Sequence, residues 1–214
     1  MTTPGEILDL KNWYLTLPTG PAGSPDTIHQ PELDVFSDEY FNVQDGAVYF
    51  KANCGGVTTK GSTYPRSELR ETNGKALASW DMKSGTHTMT YAVSVEHLPT
   101  KKPQVVVGQI HNDKDDVIEI RLTGPLLEVI HNTIHYGALD SKYTLGKKVT
   151  ITIVASGGKI TVSCGTTKVG LKATSKGGNY FKIGCYTQSN VAHGDKGDDF
   201  GAVKLYSVKV VHSK

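Results

Sequence analysis

Three short stretches concentrate side chains that could do chemistry on a polar, anionic ligand: Arg66-Ser-Glu-Leu-Arg70, Gln109-Ile-His111 and Tyr180-Phe-Lys-Ile-Gly-Cys-Tyr-Thr-Gln188. Each reads as a β-strand, whose side chains alternate between two faces. In 180–188, Phe181, Ile183, Cys185 and Thr187 suit a core, while Tyr180, Lys182, Gly184, Tyr186 and Gln188 share the other face. In 104–111, Gln104, Val106, Gly108 and Ile110 oppose Val105, Val107, Gln109 and His111, and in 65–72 Ser67 and Leu69 oppose Arg66, Glu68 and Arg70. A polar face on an antiparallel strand ordinarily meets water, and Arg66, Glu68 and Arg70 could form a ladder of surface ion pairs worth little. His111 alone reads as an ordinary histidine. Together, however, the faces present Arg, His, Gln, Tyr and a Gly in place of the Lys, Glu, Thr and Ser of a solvated surface. Aromatic platforms, bidentate donors and a glycine that clears space suit a sugar-binding floor. Arg66, Arg70 and Lys182 add a positive field that should attract a carboxylated chain.

The elements that must position these faces are strands. Helical periodicity is hard to find, whereas short alternating runs punctuated by Gly, Pro, Asn and Asp recur at 47–53, 65–72, 87–97, 104–111, 117–123, 126–131, 148–155, 159–164, 180–188 and 200–211. Turn signals at 156–158 and 176–179 separate several of them. About ten strands without a linker-like change of composition imply one all-β domain, 1–214, with two packed antiparallel sheets of jelly-roll type. Glycine-rich loops at 54–64 and 191–199 are either solvated connections or the flanks of a cleft, and the Pro-containing stretch 18–31 should run over the surface.

The 214 residues carry 23 Lys and Arg against 21 acids, a net charge of +2 that excludes a strongly basic nucleic-acid binder. No apolar run is long enough to span a membrane. The first six residues lack the basic and apolar segments of a signal peptide, which suits either a cytosolic protein or a mature secreted one. Cys54, Cys164 and Cys185 match no metal-site spacing; Cys164 and Cys185 both read as buried, and a disulfide between them is conceivable.

The three motifs closely resemble, in order and approximate spacing, those of the alginate lyases of polysaccharide lyase family 7, and Leu8-Asp-Leu-Lys-Asn-Trp-Tyr-Leu-Thr-Leu-Pro18 is similar to that family's start. The resemblance implies a jelly-roll β-sandwich with a concave substrate groove, and a secreted monomer that cleaves the 1,4 linkages of alginate in endo fashion. It implies β-elimination, leaving unsaturated uronate ends, with no cofactor or metal. Under that reading Arg66 and Gln109 neutralise the uronate carboxylate as charge develops on it, and His111 and Tyr186 serve as base and acid. Arg66 and Lys182 would disfavour an imidazolium and favour a phenolate. For guluronate His111 takes the C5 proton and Tyr186 protonates the leaving oxygen; for mannuronate Tyr186 could do both. Arg70, Lys182, Gln188 and Tyr180 would hold and shape the substrate, and Glu68 would orient Arg66 and Arg70. Ile110 occupies a position whose Ile form loosely accompanies acceptance of guluronate.

Other readings remain. A hydrolase needs two carboxylates aimed into one cleft, and strict alternation puts Asp116 and Glu119 on opposite sides of a strand. A non-catalytic polyuronate-binding module needs no His–Tyr pair beside Gln109, and a lyase for another polyuronate such as glucuronan shares nearly all of the chemistry. Asp113, Asp115 and Asp116, or Asp195, Asp198 and Asp199, match no recognised Ca²⁺ loop and read as solvated.

Overall fold

The alternating runs bring their apolar faces together between two antiparallel sheets. The computed structural model describes residues 2–173 and 177–214; Met1 and Lys176, the latter opening the 176–179 turn, lie outside the described residues. The first sheet contains β1 (Trp13–Thr16), β2 (Thr27–Ile28), β5 (Arg66–Asn73), β6 (Ala76–Leu77), β8 (Gln104–His111), β9 (Asp116–Thr123), β10 (Leu126–His131), β11 (Ile134–Asp140) and β15 (Tyr180–Thr187). The second contains β3 (Phe41–Gln44), β4 (Ala47–Asn53), β7 (Thr86–His97), β12 (Val149–Ser156), β13 (Lys159–Cys164), β14 (Thr167–Lys172) and β16 (Phe200–Ser213). The first sheet runs β11-β10-β9-β8-β15-β5-β1-β2, with β6 paired to β5, and the second runs β14-β13-β12-β7-β16-β4-β3. The three motif strands β8, β15 and β5 are therefore direct neighbours.

All ten expected strands form. Among the described residues six others form that carry too little pattern to be read: β1, β2, β3 and β6 are two to four residues long, and β11 and β14 are edge strands that stay largely exposed. Leu69, Ile110, Phe181 and Ile183 of the first sheet and Phe50, Tyr91, Ile153 and Leu205 of the second are fully buried in one core. Burying each such side chain contributes about 1.5–3 kcal/mol. The layers approach closely at Gly201 of β16, where a Cβ would fall 2.6 Å from Thr187 Oγ1 and from Val105. A side chain there would force the sheets apart.

Buried polar groups also tie the layers. Glu71 of β5 accepts hydrogen bonds from Trp80 Nε1 (3.0 Å) and the Phe181 amide (2.8 Å), and pairs with His212 of β16 at 2.5 Å. His212 in turn meets His87 of β7 at 2.8 Å, so two histidines with no apparent role in the sequence pin the start of β15.

All three cysteines are free thiols. Cys185 is buried on β15 in the first sheet and Cys164 is half-buried at the end of β13 in the second, so the conceived disulfide is not formed. Burial pushes the Cys54 and Cys185 thiols up to about 12.

Candidate active site

Register places the motif side chains in rows across the solvent side of the first sheet. Arg70 of β5 pairs with Lys182 of β15, Lys182 with Gln109 of β8, and Gln109 with Glu119 of β9. Tyr180 lies opposite His111, and Tyr186 opposite Arg66. Above these rows is a cavity of about 290 Å³ lined by Arg66, Arg70, Gln109, His111, Tyr180, Lys182 and Tyr186, seven of the nine residues singled out from the sequence. A larger open hollow of about 710 Å³ beside Asp140, Lys147 and Cys164 contains none of them.

The other two lie elsewhere. Gln188 follows the end of β15 and is outside the cavity lining; its side chain is buried, and among the described residues Nε2 has no hydrogen-bond partner. Glu68 sits beneath the floor at 1% exposure and binds the groove residues from below. Its carboxylate accepts from Arg66 Nη1 (3.0 Å), Lys182 Nζ (2.6 Å) and Gln109 Nε2 (2.5 Å). Burial alone would raise this carboxyl, but Lys182 and Arg66 outweigh burial and hold it below the usual range. The expectation that Glu68 orients Arg66 and Arg70 is thus corrected: it orients Arg66, Lys182 and Gln109, while the Arg70 guanidinium stacks 3.8 Å from the centroid of Tyr180. Lys182 remains buried, and desolvation together with Arg66 lowers it to about 8 in spite of Glu68.

His111 Nδ1 lies 2.5 Å from the Asn112 carbonyl oxygen, a pure acceptor, so Nδ1 carries the proton and donates. Tyr180 Oη, 2.9 Å from the same nitrogen, flanks this bond. The tautomer leaves the Nε2 lone pair free, and among the described residues no hydrogen bond reaches it. Burial, then the Lys182 charge, lowers the imidazole to about 4, so it is neutral at pH 7. Tyr186 carries the Arg66 guanidinium over its ring at 3.8 Å, and its Oη is 2.8 Å from Ser62 Oγ. Because the Ser62 hydroxyl donates to the Tyr64 carbonyl (3.2 Å), Tyr186 is the donor in their bond. The groove therefore holds a neutral base and a phenol with its proton in place.

Several further groove residues lie outside the three motifs. Ser62, with Thr59 and Gly61, comes from the 54–64 loop, and Tyr14 and Thr16 come from the short β1. The 191–199 loop reaches the groove's flank indirectly: His193 Nε2 lies 2.8 Å from Tyr64 Oη, which also accepts from Lys102 Nζ at 2.6 Å. Both loops thus flank the cleft.

Bulges account for the other departures. The β8–β9 register shifts between Val106 and Gly108 and again between Ile110 and His111. The first shift places Val105 against Gly201 of the second sheet, not with Gln109 on the groove face. The second brings Asp116 and Glu119 to the same cavity, which overturns the argument that they face opposite sides. Gly184, at φ +143°, sits in a β15–β8 irregularity where a Cβ would meet the Ser67 carbonyl at 2.6 Å and Phe50 at 3.0 Å. It serves the backbone bulge and does not clear the groove.

The acidic loops have internal partners. Asp195 accepts from the amides of Lys101 (2.6 Å) and Lys102 (3.2 Å) and from Ser189 Oγ (2.5 Å), and Asp116 pairs with His131 at 3.0 Å. Among the described residues, no cluster of three or more His, Cys, Asp or Glu is arranged to hold a metal ion.

A family model described as alginate lyase matches residues 8–212. The chain is similar to the alginate lyase AlgAT5 from polysaccharide lyase family 7, with 49% identity, 100% of both chains covered and a TM-score of 0.95. It is also similar to the alginate lyase from Corynebacterium sp., at 42% identity over 98% of each chain and a TM-score of 0.93. An alginate lyase of Klebsiella pneumoniae is 29% identical over 149 residues, 55% of this chain; the match spans 48%, about half, of that enzyme's length.

Proposed function

Because this chain belongs to the alginate lyases of polysaccharide lyase family 7, we propose that its groove cleaves the 1,4 linkages of alginate by β-elimination. The carrying observation is that a neutral His111 with a free Nε2 and a protonated Tyr186 line one cavity with Arg66 and Gln109. The difficulty of the reaction is the carbanion at C5, since an ionised carboxylate is a poor electron sink. Arg66 and the second N–H of Gln109, both held from below by Glu68, neutralise that carboxylate and stabilise the charge that develops on it.

With guluronate at the cleaved bond, His111 Nε2 takes the C5 proton. The electron pair forms the C4–C5 double bond, the C4–O bond breaks, and Tyr186 gives its proton to the departing oxygen. The Tyr186 phenolate left behind is balanced by the Arg66 guanidinium over its ring. With mannuronate the proton and leaving group lie on the same ring face; there Tyr186 acts on both as a phenolate, its own proton first passed to water and its charge balanced by Arg66, taking the C5 proton and delivering it to the departing oxygen. Arg70 and Lys182 hold neighbouring carboxylates and Tyr180 shapes the floor. Gln188, buried outside the cavity lining, takes no part in this step. The whole chain, 1–214, acts as one catalytic domain, endo-acting because its cavity lies on an open sheet face. It works as a secreted monomer, outside the cell, where a polymer of this size is met.

Adding the protein to sodium alginate without metal should release unsaturated uronate ends, seen as new ultraviolet absorbance. Binding without any cleavage would leave the module reading, and cleavage of glucuronan in preference to alginate would reassign the substrate.

A further inference from the structure

We propose that the Glu119 carboxyl is a substrate contact of the groove, hydrogen-bonding a uronate carboxylate in the subsite beside Gln109. The inference rests on the lyase reading above and adds a residue to which nothing in the three motifs points.

Glu119 ends the row Arg70–Lys182–Gln109–Glu119, so its side chain continues the line of groups offered to the substrate. It borders the cavity and is only 8% exposed. The protein's other buried glutamates are bonded: Glu68 by three donors, Glu71 by Trp80, Phe181 and His212, and Glu128 by His135 at 2.6 Å. Among the described residues, no hydrogen bond reaches Glu119, and its nearest cation, Arg121 Nη1, is 3.9 Å away, beyond hydrogen-bond range. A carboxyl kept nearly dry and unbonded at a groove wall has its partner still to come.

The surroundings select the form it takes. Asp116 and Arg121 lie on its own strand, His111 on β8, Lys182 on β15, and Glu68 and Arg66 on β5. On β10, Glu128 is held by His135 and His131 by Asp116, and Lys114 and Asp115 stand at the rim. Burial, with Asp116 adding to it, raises Glu119 to about 7 against the pull of Arg121. Below that pH the group is a neutral O–H donor suited to a carboxylate; above it, the same group is an anion opposing a polyanion.

The test compares the parent with Glu119→Gln, which keeps the shape and the ability to donate while removing the titration. Initial rates on sodium alginate would be measured from pH 6 to 8, resolving KM from kcat, with circular dichroism to confirm folding. The parent's KM should rise about tenfold across that range, the value of one charge-assisted hydrogen bond, while the variant's should change by less than about twofold. Parallel KM profiles in the two proteins, or a flat KM in the parent alone, would overturn the proposal. The second outcome needs no variant, so misfolding of Glu119→Gln would not shield the idea. Ultraviolet-absorbing product from both proteins at pH 6 keeps the lyase reading standing whichever way KM behaves.

Discussion

Replacing Glu68 by Gln should weaken the fold and the activity together, because one buried carboxylate holds three groove donors. The substitution preserves shape but leaves Arg66 and Lys182, each 8% exposed, without their common counter-charge. Removing one partner of a buried ion pair costs about 3–5 kcal/mol. Lys182 offers partial relief. Burial and Arg66 already lower it to about 8, and without Glu68 it falls further and sheds its proton. The sign of the pH dependence follows. Between the two Lys182 values the folded parent binds a proton that the folded variant does not, while both unfolded chains bind it. The deficit should therefore be about 3 kcal/mol at pH 7 and grow by up to about 1.4 kcal/mol for each unit below pH 8. Above pH 8 Lys182 is neutral in both folded proteins, and the difference levels off. With total stabilities commonly about 5–15 kcal/mol, the variant should remain folded at pH 8. Urea unfolding at pH 6, 7 and 9, with unchanged slopes, measures the deficit, and kcat/KM on alginate should fall as Gln109 and Arg66 lose their anchor. A deficit below about 1 kcal/mol at every pH, with kcat/KM intact, would refute the anchoring role.

His111→Ala and Tyr186→Phe should each lower kcat by about 10²–10⁴ with far smaller effects on KM and on thermal unfolding; parental turnover in either variant removes that residue from proton transfer. Loss of the Lys182 charge above about pH 8 should weaken alginate binding on the alkaline side, measurable as a rising KM that persists in Glu119→Gln. Alkylation of the native protein at pH 8 should label Cys164 while Cys54 and Cys185 stay protected, and unfolding without reductant should expose three thiols. Two missing thiols would show a disulfide.

The faces of β5 and β15 were legible because their alternation is nearly unbroken. Phe181, Ile183 and Cys185 enter the core, while Tyr180, Lys182 and Tyr186 line the groove. On β8 the same rule placed Gln109 and His111 correctly but failed at Val105, since a bulge adds a residue that a period of two does not encode. The bulge between Ile110 and His111 likewise hid Glu119's place in the groove with Asp116. Glu68 could be read as orienting its neighbours, but not which ones. Lys182 and Gln109 reach it through strand pairing across 114 and 41 residues of sequence, and no local pattern carries that register. Ser62 was invisible for a related reason: it belongs to a loop, and only the closed fold sets its hydroxyl against Tyr186.

Elimination in this groove breaks the bond without adding water. Mass spectrometry of the products from a defined oligouronate tests this most directly. Each cleavage should give one saturated fragment and one that is a water lighter, the pair summing to the mass of the substrate. Fragments that are all saturated, with one water gained per bond broken, would contradict it.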